Sequence, residues 1–255
     1  MTEKTSYAPG TPSWVDLGTP DIDATVAFYR GLFGWQIEEG PPEAGGYRMC
    51  MLGDKPVAGM GPLMAEGQPS AWSTYVSVAD ADATAKAVEA AGGMTFVAPM
   101  DVLTVGRMAV FADPTGAAIS IWQPRDHVGA GLVNEPNTFC WNELVVRDGA
   151  KATPFYEQVF GWKAVDSGME GMTYTLFDNG GEQIAGMLEM DDSFPPQVPN
   201  HWMVYFAVDD CDAAVEKLTS LGGKVMMPAS DSPVGRMAAC LDSTGAAFSV
   251  IKLAN

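Results

Sequence analysis

Apolar and polar positions alternate along the chain in short runs, and these runs are broken at regular intervals by helical spacing. Trp14 to Gly18 reads as a strand, after which Ile22, Val26, Tyr29 and Phe33 fall on one helical face. Thr19-Pro20 reads as the cap and first residue of that helix, and Gly34 as its end. Strands are expected near 35–38, 47–52 and 57–61. The order then recurs: a strand over 73–78, an Ala-rich helix over 80–91 stopped by Gly92-Gly93, and strands near 94–97, 107–112 and 117–122. Asp113-Pro114-Thr115-Gly116 suits a β-turn with proline at its second position. Three short strands with turn-length links after each helix predict mixed sheets in an α+β fold rather than a parallel βαβ sheet.

The whole pattern occurs twice. Trp14-Val15-Asp16-Leu17 is echoed by Trp141-Asn142-Glu143-Leu144, Phe28-Tyr29 by Phe155-Tyr156, and Phe33-Gly34-Trp35 by Phe160-Gly161-Trp162, all at one 127-residue offset. Trp72 pairs with Trp202, Gly92-Gly93 with Gly222-Gly223, Val105-Gly106-Arg107-Met108-Ala109 with Val234-Gly235-Arg236-Met237-Ala238, and Asp113-Pro114-Thr115-Gly116 with Asp242-Ser243-Thr244-Gly245. The chain is a duplication of a unit that is itself double. The boundary is expected between His127 and Pro136, giving domains 1–127 and 128–255.

Composition narrows the partners. Among 255 residues, 32 acids against 14 bases give a net charge of −18, which repels nucleic-acid phosphates and anionic lipid. No apolar stretch approaches a membrane span, and Met1 to Ser13 carries no apolar run of a signal peptide, so a cytoplasmic protein is expected, as monomer or homodimer. Cys50, Cys140, Cys211 and Cys240 show no metal-binding spacing and read as buried thiols.

The opening strand, the helix carrying Phe28-Tyr29 and ending at Gly34, and the closing Asp-Pro-x-Gly before a last strand resemble the vicinal oxygen chelate (glyoxalase, bleomycin resistance protein and dioxygenase) superfamily. The resemblance covers nearly the whole chain and extends to its two-domain actinobacterial members, among them a mycobacterial antigen and hydroxylase-labelled proteins of anthracycline clusters. It implies four βαβββ modules forming two glyoxalase-like domains with cupped mixed sheets. It also implies that enzymes of the family hold a divalent metal from defined strand positions. Here those positions fall on Trp14 and Trp141, Ser73 and Met203, and Ser120 and Ser249, none of which binds a divalent ion well. Val57 to Gly61 and Ile184 to Leu188 offer no carboxylate. The two histidines, His127 and His201, sit in the linker and at a strand start. No metal site and no cofactor are expected.

Strand alternation then assigns the cup lining. Leu17, Val76, Val78, Ile119 and Ile121 face the helices, leaving Trp14, Asp16, Ser73, Tyr75, Ser120 and Trp122 inward in the first half. The second half presents Trp141, Glu143, Met203, Tyr205, Ser249 and Ile251, with His201 near the rim. The tryptophans read either as core filler or as ligand platforms. An acid on an apolar wall needs a partner. Asp16 and Glu143 are expected either to meet Arg107 or Arg236, or Tyr75 or Tyr205, or to serve a ligand as acceptor or general base. Two functions follow: metal-independent binding of a small aromatic, apolar or cationic metabolite or antibiotic, or a cofactor-free lyase, isomerase or hydroxylase using Glu143 with His201 or Asp16. A metal-dependent glyoxalase or dioxygenase is disfavoured by the substituted ligand positions.

Overall fold

The structure, a computed structural model, describes residues 2–65, 67–169 and 171–254. Met1 and Asn255, the outer limits of the two expected domains, lie outside the described residues. A short strand β1 (Thr2–Glu3) precedes the first module: β2 (Pro12–Thr19), α1 (Ile22–Phe33), β3 (Gln36–Glu39), β4 (Arg48–Leu52) and β5 (Lys55–Pro62). The second comprises β6 (Ala71–Ser77), α2 (Ala81–Ala90), β7 (Met94–Val102), β8 (Gly106–Ala112) and β9 (Ala118–Pro124). After β10 (Leu132–Val133) the third follows as β11 (Phe139–Val146), α3 (Gly149–Phe160), β12 (Lys163–Asp166), β13 (Tyr174–Asn179) and β14 (Glu182–Glu189). The fourth is β15 (His201–Ala207), α4 (Cys211–Ser220), β16 (Lys224–Ser232), β17 (Gly235–Leu241) and β18 (Ala247–Leu253).

Each helix begins on an aspartate whose carboxylate accepts a backbone N–H of the first turn: Asp21, Asp80, Asp148 and Asp210. The expected Thr19-Pro20 cap is therefore corrected to Asp21. Thr19 instead turns its hydroxyl to Thr25 Oγ1 at 2.8 Å and receives the Asp21 N–H at 3.2 Å, so it braces the cap from outside the helix. Gly34 and Gly161 close α1 and α3 at φ +72°, the left-handed conformation that disfavours a Cβ.

Modules one and two form one eight-stranded mixed sheet in the order β3-β4-β5-β2-β6-β9-β8-β7, and modules three and four form its duplicate, β12-β13-β14-β11-β15-β18-β17-β16. The first strands of neighbouring modules run antiparallel at each centre, β2 beside β6 and β11 beside β15. Sheet pairing is thus sequential, but core formation crosses the halves. Leu17, Phe28 and Phe33 share one cluster with Phe206, Phe248 and Val250, whereas Val76, Phe111 and Ile119 share another with Leu144, Phe155 and Trp162. Helix α1 packs on α4 and α2 on α3, so the two sheets turn their helix-bearing faces toward one another. Leu17, Val76, Val78, Ile119 and Ile121 lie in these cores, as strand alternation predicts. Full burial of each such side chain stabilises by roughly 1.5–3 kcal/mol.

The repeated motifs are the ties between halves. Trp72 Nε1 donates to Tyr29 Oη at 2.9 Å, and that hydroxyl donates to Asp242 Oδ2 at 3.1 Å in the other half. Reciprocally, Trp202 Nε1 donates to Tyr156 Oη at 3.0 Å, which donates to Asp113 Oδ2 at 2.8 Å. The other oxygen of each aspartate accepts from its own turn: Asp113 Oδ1 takes Thr115 N, Thr115 Oγ1 and Ala117 N at 2.7, 2.6 and 3.1 Å. Trp35 Nε1 donates to Asn137 O at 2.8 Å and Trp162 Nε1 to Gly10 O at 2.6 Å, again crossing the halves in both directions. The buried polar atoms of these Trp, Tyr and Asp side chains are thereby satisfied rather than stranded.

Candidate functional site

The face of each sheet opposite its helices forms the cup. Register places side chains in rows, because residues paired across neighbouring strands point the same way. In the first cup one row runs Glu38, Met49, Gly59, Asp16 and Ser73. A second joins Trp14, Tyr75, Ser120 and Val110. The duplicate rows are Val165, Leu176, Gly186, Glu143 and Met203, and Trp141, Tyr205, Ser249 and Ala239. The inward residues assigned from sequence are thus brought together, six in each cup, with Trp122 beside Met108 and His201 opposite Val145.

At the centre of each cup one carboxyl is held by two phenols. Tyr75 Oη donates to Asp16 Oδ2 at 3.0 Å and Tyr47 Oη to the same oxygen at 3.3 Å, while Trp14 Nε1 donates to Tyr47 Oη at 3.0 Å. In the second cup Tyr205 Oη donates to Glu143 Oε1 at 2.8 Å, Tyr174 provides a further hydrogen bond to Glu143, and Trp141 Nε1 donates to Tyr174 Oη at 3.0 Å. Of the partners expected for the acids, the tyrosines are the ones found. Arg107 pairs instead with Asp82 and Asp101, and Arg236 with Asp212 and Asp231, on the exposed surface.

Tyr47 and Tyr174 were not among the residues singled out from sequence. Tyr47 stands just before β4 and Tyr174 opens β13, and each reaches over a glycine: a Cβ at Gly59 would meet the Tyr47 hydroxyl, and one at Gly186 the Tyr174 hydroxyl. Their shared 127-residue offset, equal to that of Trp14 and Trp141, is the signal that finds them.

Burial dominates the electrostatics. It lifts the Asp16 carboxyl from 3.8 to about 6 although both phenols pull it down, and it raises Glu143 against the same opposing bonds. His127 is pushed down by burial to about 4. His201 is lowered by burial, partly offset by its 2.8 Å contact with Pro199 O. Glu143 and His201 occupy different rows and no hydrogen bond joins them.

The donor set does not fit a divalent cation. At its centre each cup offers one carboxyl, with Asp16 Oδ2 already taking two phenols and Glu143 Oε1 one, and Trp, Ser or Met stand at the neighbouring positions. Glu38 lies three strands away at the exposed edge of the first cup, and no group of three His, Cys, Asp or Glu side chains converges among the described residues. Two clefts flank the cups. One of about 260 Å3 is lined by Pro9, Asp80 and Phe160, and one of about 210 Å3 by Glu39, Pro42, Arg48 and Tyr47, the residue whose phenol holds Asp16. Neither reaches Asp16 or Glu143. Among the described residues no helix is long and apolar enough to cross a membrane.

Paired βαβββ modules around a concave sheet, repeated in tandem, define a glyoxalase-type architecture. The sequence pattern of the Glyoxalase/Bleomycin resistance protein/Dioxygenase superfamily matches residues 11–121 and 131–250, and the chain belongs to that superfamily. It is 42% identical over 261 residues to CFP32 of Mycobacterium tuberculosis (strain CDC 1551 / Oshkosh), provisionally named a glyoxylase, covering 99% of this chain and 98% of that protein. It is 41% identical over 264 residues to the anthracycline biosynthesis protein DnrV of Streptomyces peucetius, covering 98% and 95%. Among solved structures, the Mn(II)-bound glyoxalase of Novosphingobium aromaticivorans superposes with a TM-score of 0.67 at 16% identity, over 96% of this chain and 82% of that one. The 2,3-dioxygenase LapB of Pseudomonas sp. KL28 superposes with 0.66 at 14% identity, over 96% and 92%. At those identities the likeness is one of fold.

Proposed function

We propose that this protein binds a small, planar, largely apolar metabolite in its cups without a metal ion. The observation that carries this reading is the Trp–Tyr–carboxyl–Tyr arrangement present in both halves, where an indole adjoins a phenol-held carboxyl whose pKa is raised by burial, to about 6 at Asp16. Such a set offers a stacking surface and a polar anchor that both donates and accepts, which suits a hydroxylated or keto-bearing aromatic ring. The relatives named for anthracycline biosynthesis support polycyclic aromatics as the ligand class. The test is equilibrium titration of the purified chain with a panel of hydroxyanthraquinones, followed by absorbance and tryptophan emission, alongside elemental analysis. Saturable binding unaffected by a chelator is expected. A stoichiometric transition metal held by the protein, or no response to any planar ligand, overturns the reading.

A second reading is favoured by one observation, the Asp16 pKa of about 6, which suits a general acid or base at neutral pH. In that case the protein is a metal-independent enzyme, a lyase, isomerase or hydroxylase type, acting on the same class of molecule. Turnover that survives chelation and is lost in Asp16→Asn or Glu143→Gln separates it from simple binding.

A further inference from the structure

The two cups share their wiring but not their access. In the first, the segment after β9 turns back over the cup: the backbone N–H groups of Arg125 and His127 both donate to Val105 O at 3.1 Å, and Trp122 Nε1 donates to His127 O at 2.7 Å. The imidazole rests edge-on against the Trp14 indole with centroids 4.5 Å apart and planes at 85°, and 5.8 Å from Trp122. Trp14 and Trp122 are consequently only 4% and 6% exposed. His127 Nε2 is buried without a hydrogen-bond partner, and burial keeps the ring neutral, so the side chain serves there as an aromatic ring rather than as a polar group.

The second cup differs at that end. Ile251 takes the place that Trp122 holds in the first, Trp141 keeps part of its surface exposed, and among the described residues no ring packs on it. Its opposite end is the closed one. Phe194 and Val198, from the loop before β15, pack against Val145 and Met203. In the first cup the row matching Val145 and His201 is Gly18 and Ala71; Leu63, from the loop before β6, lies over Gly18, and Ala71 is exposed.

We propose that His127 is a built-in occupant of the ring position of the first cup, so that the chain takes one planar ring per molecule, in the second cup, against Trp141. A ring lying there meets Met203 on one side and turns a hydroxyl or carbonyl toward the Glu143, Tyr174 and Tyr205 group. This inference rests on the reading of the cups as ligand sites.

The test uses the full chain and 1,2-dihydroxyanthraquinone as probe, titrated calorimetrically at pH 7.5, with far-UV circular dichroism and thermal melting confirming that each variant is folded. The wild type is expected to bind one equivalent. Trp141→Ala is expected to weaken it by about tenfold or more, as loss of a central aromatic anchor does. Tyr205→Phe, which keeps the packing, should weaken it about fivefold, the scale of one hydrogen bond. His127→Gly is expected to raise the stoichiometry from one to two while leaving the original site unchanged. Two equivalents in the wild type, binding indifferent to both Trp141→Ala and Tyr205→Phe, or one equivalent in His127→Gly overturns this assignment while the binding reading stands. No binding by the wild type or by any variant removes the binding reading and this inference together.

Discussion

Replacing Asp16 by Asn is expected to stabilise the protein at neutral pH and to lose much of that advantage in mild acid. Burial lifts the folded-state pKa of Asp16 from 3.8 to about 6, the hydrogen bonds from Tyr75 and Tyr47 opposing but not cancelling it. Between those two values the folded chain holds a proton that the unfolded chain has released. Stability therefore falls as pH rises through this window, and above it the folded protein carries an ionised carboxylate at a cost of roughly 3 kcal/mol relative to strong acid. About half of that cost is already present at pH 5, and the remaining ~1.4 kcal/mol accrues by pH 7.5. Asn keeps the shape and one acceptor for the phenols but has no proton to lose. Urea unfolding of both proteins at pH 5, 6 and 7.5 isolates the effect, since His127 and the surface acids titrate in both and cancel in the difference. The variant's advantage is expected to grow by about 1.4 kcal/mol from pH 5 to 7.5. A difference that stays flat with pH, or that grows in acid, refutes a carboxyl raised by burial.

Further expectations address the wiring. Tyr156→Phe leaves Asp113 Oδ2 and Trp202 Nε1 buried without their shared partner and should cost about 2–4 kcal/mol in urea unfolding; a neutral result would show that the relay does not hold the halves together. Gly186→Ala pushes a methyl into the Tyr174 hydroxyl and against Trp141 Nε1, so a loss of roughly 1–3 kcal/mol is expected together with a changed tryptophan emission. Residues 1–127 expressed alone should bind a hydrophobic dye and lack sharp thermal unfolding, because Phe28 and Phe33 lose Phe206 and Phe248; a cooperatively folding monomer would refute the shared core.

Much of the cup was legible in the residues because strand alternation has a period of two and because duplication shows each position twice. Trp14, Asp16, Tyr75 and Ser120, and their counterparts Trp141, Glu143, Tyr205 and Ser249, need only local pattern to be placed on one face. Tyr47 and Tyr174 escaped this reading, since each sits at the start of an outer strand and acts through a long side chain crossing a glycine in the neighbouring strand. The Asp21 cap was misplaced by two residues because Thr19-Pro20 carries the same local signal as a true cap, and the choice is made by which side chain reaches the first-turn N–H.

The amino-acid order by itself determined the module plan, the tandem duplication and the family, all of which are matters of spacing and residue chemistry. Only the tertiary structure decided that each sheet is built within one half while each core is built between halves, as in the 213-residue reach from Tyr29 to Asp242. It alone set His127 against Trp14 in one cup and left Trp141 partly open in the other. Periodicity reports which face a side chain takes. What that face meets depends on chain closure over more than a hundred residues, which no local pattern encodes.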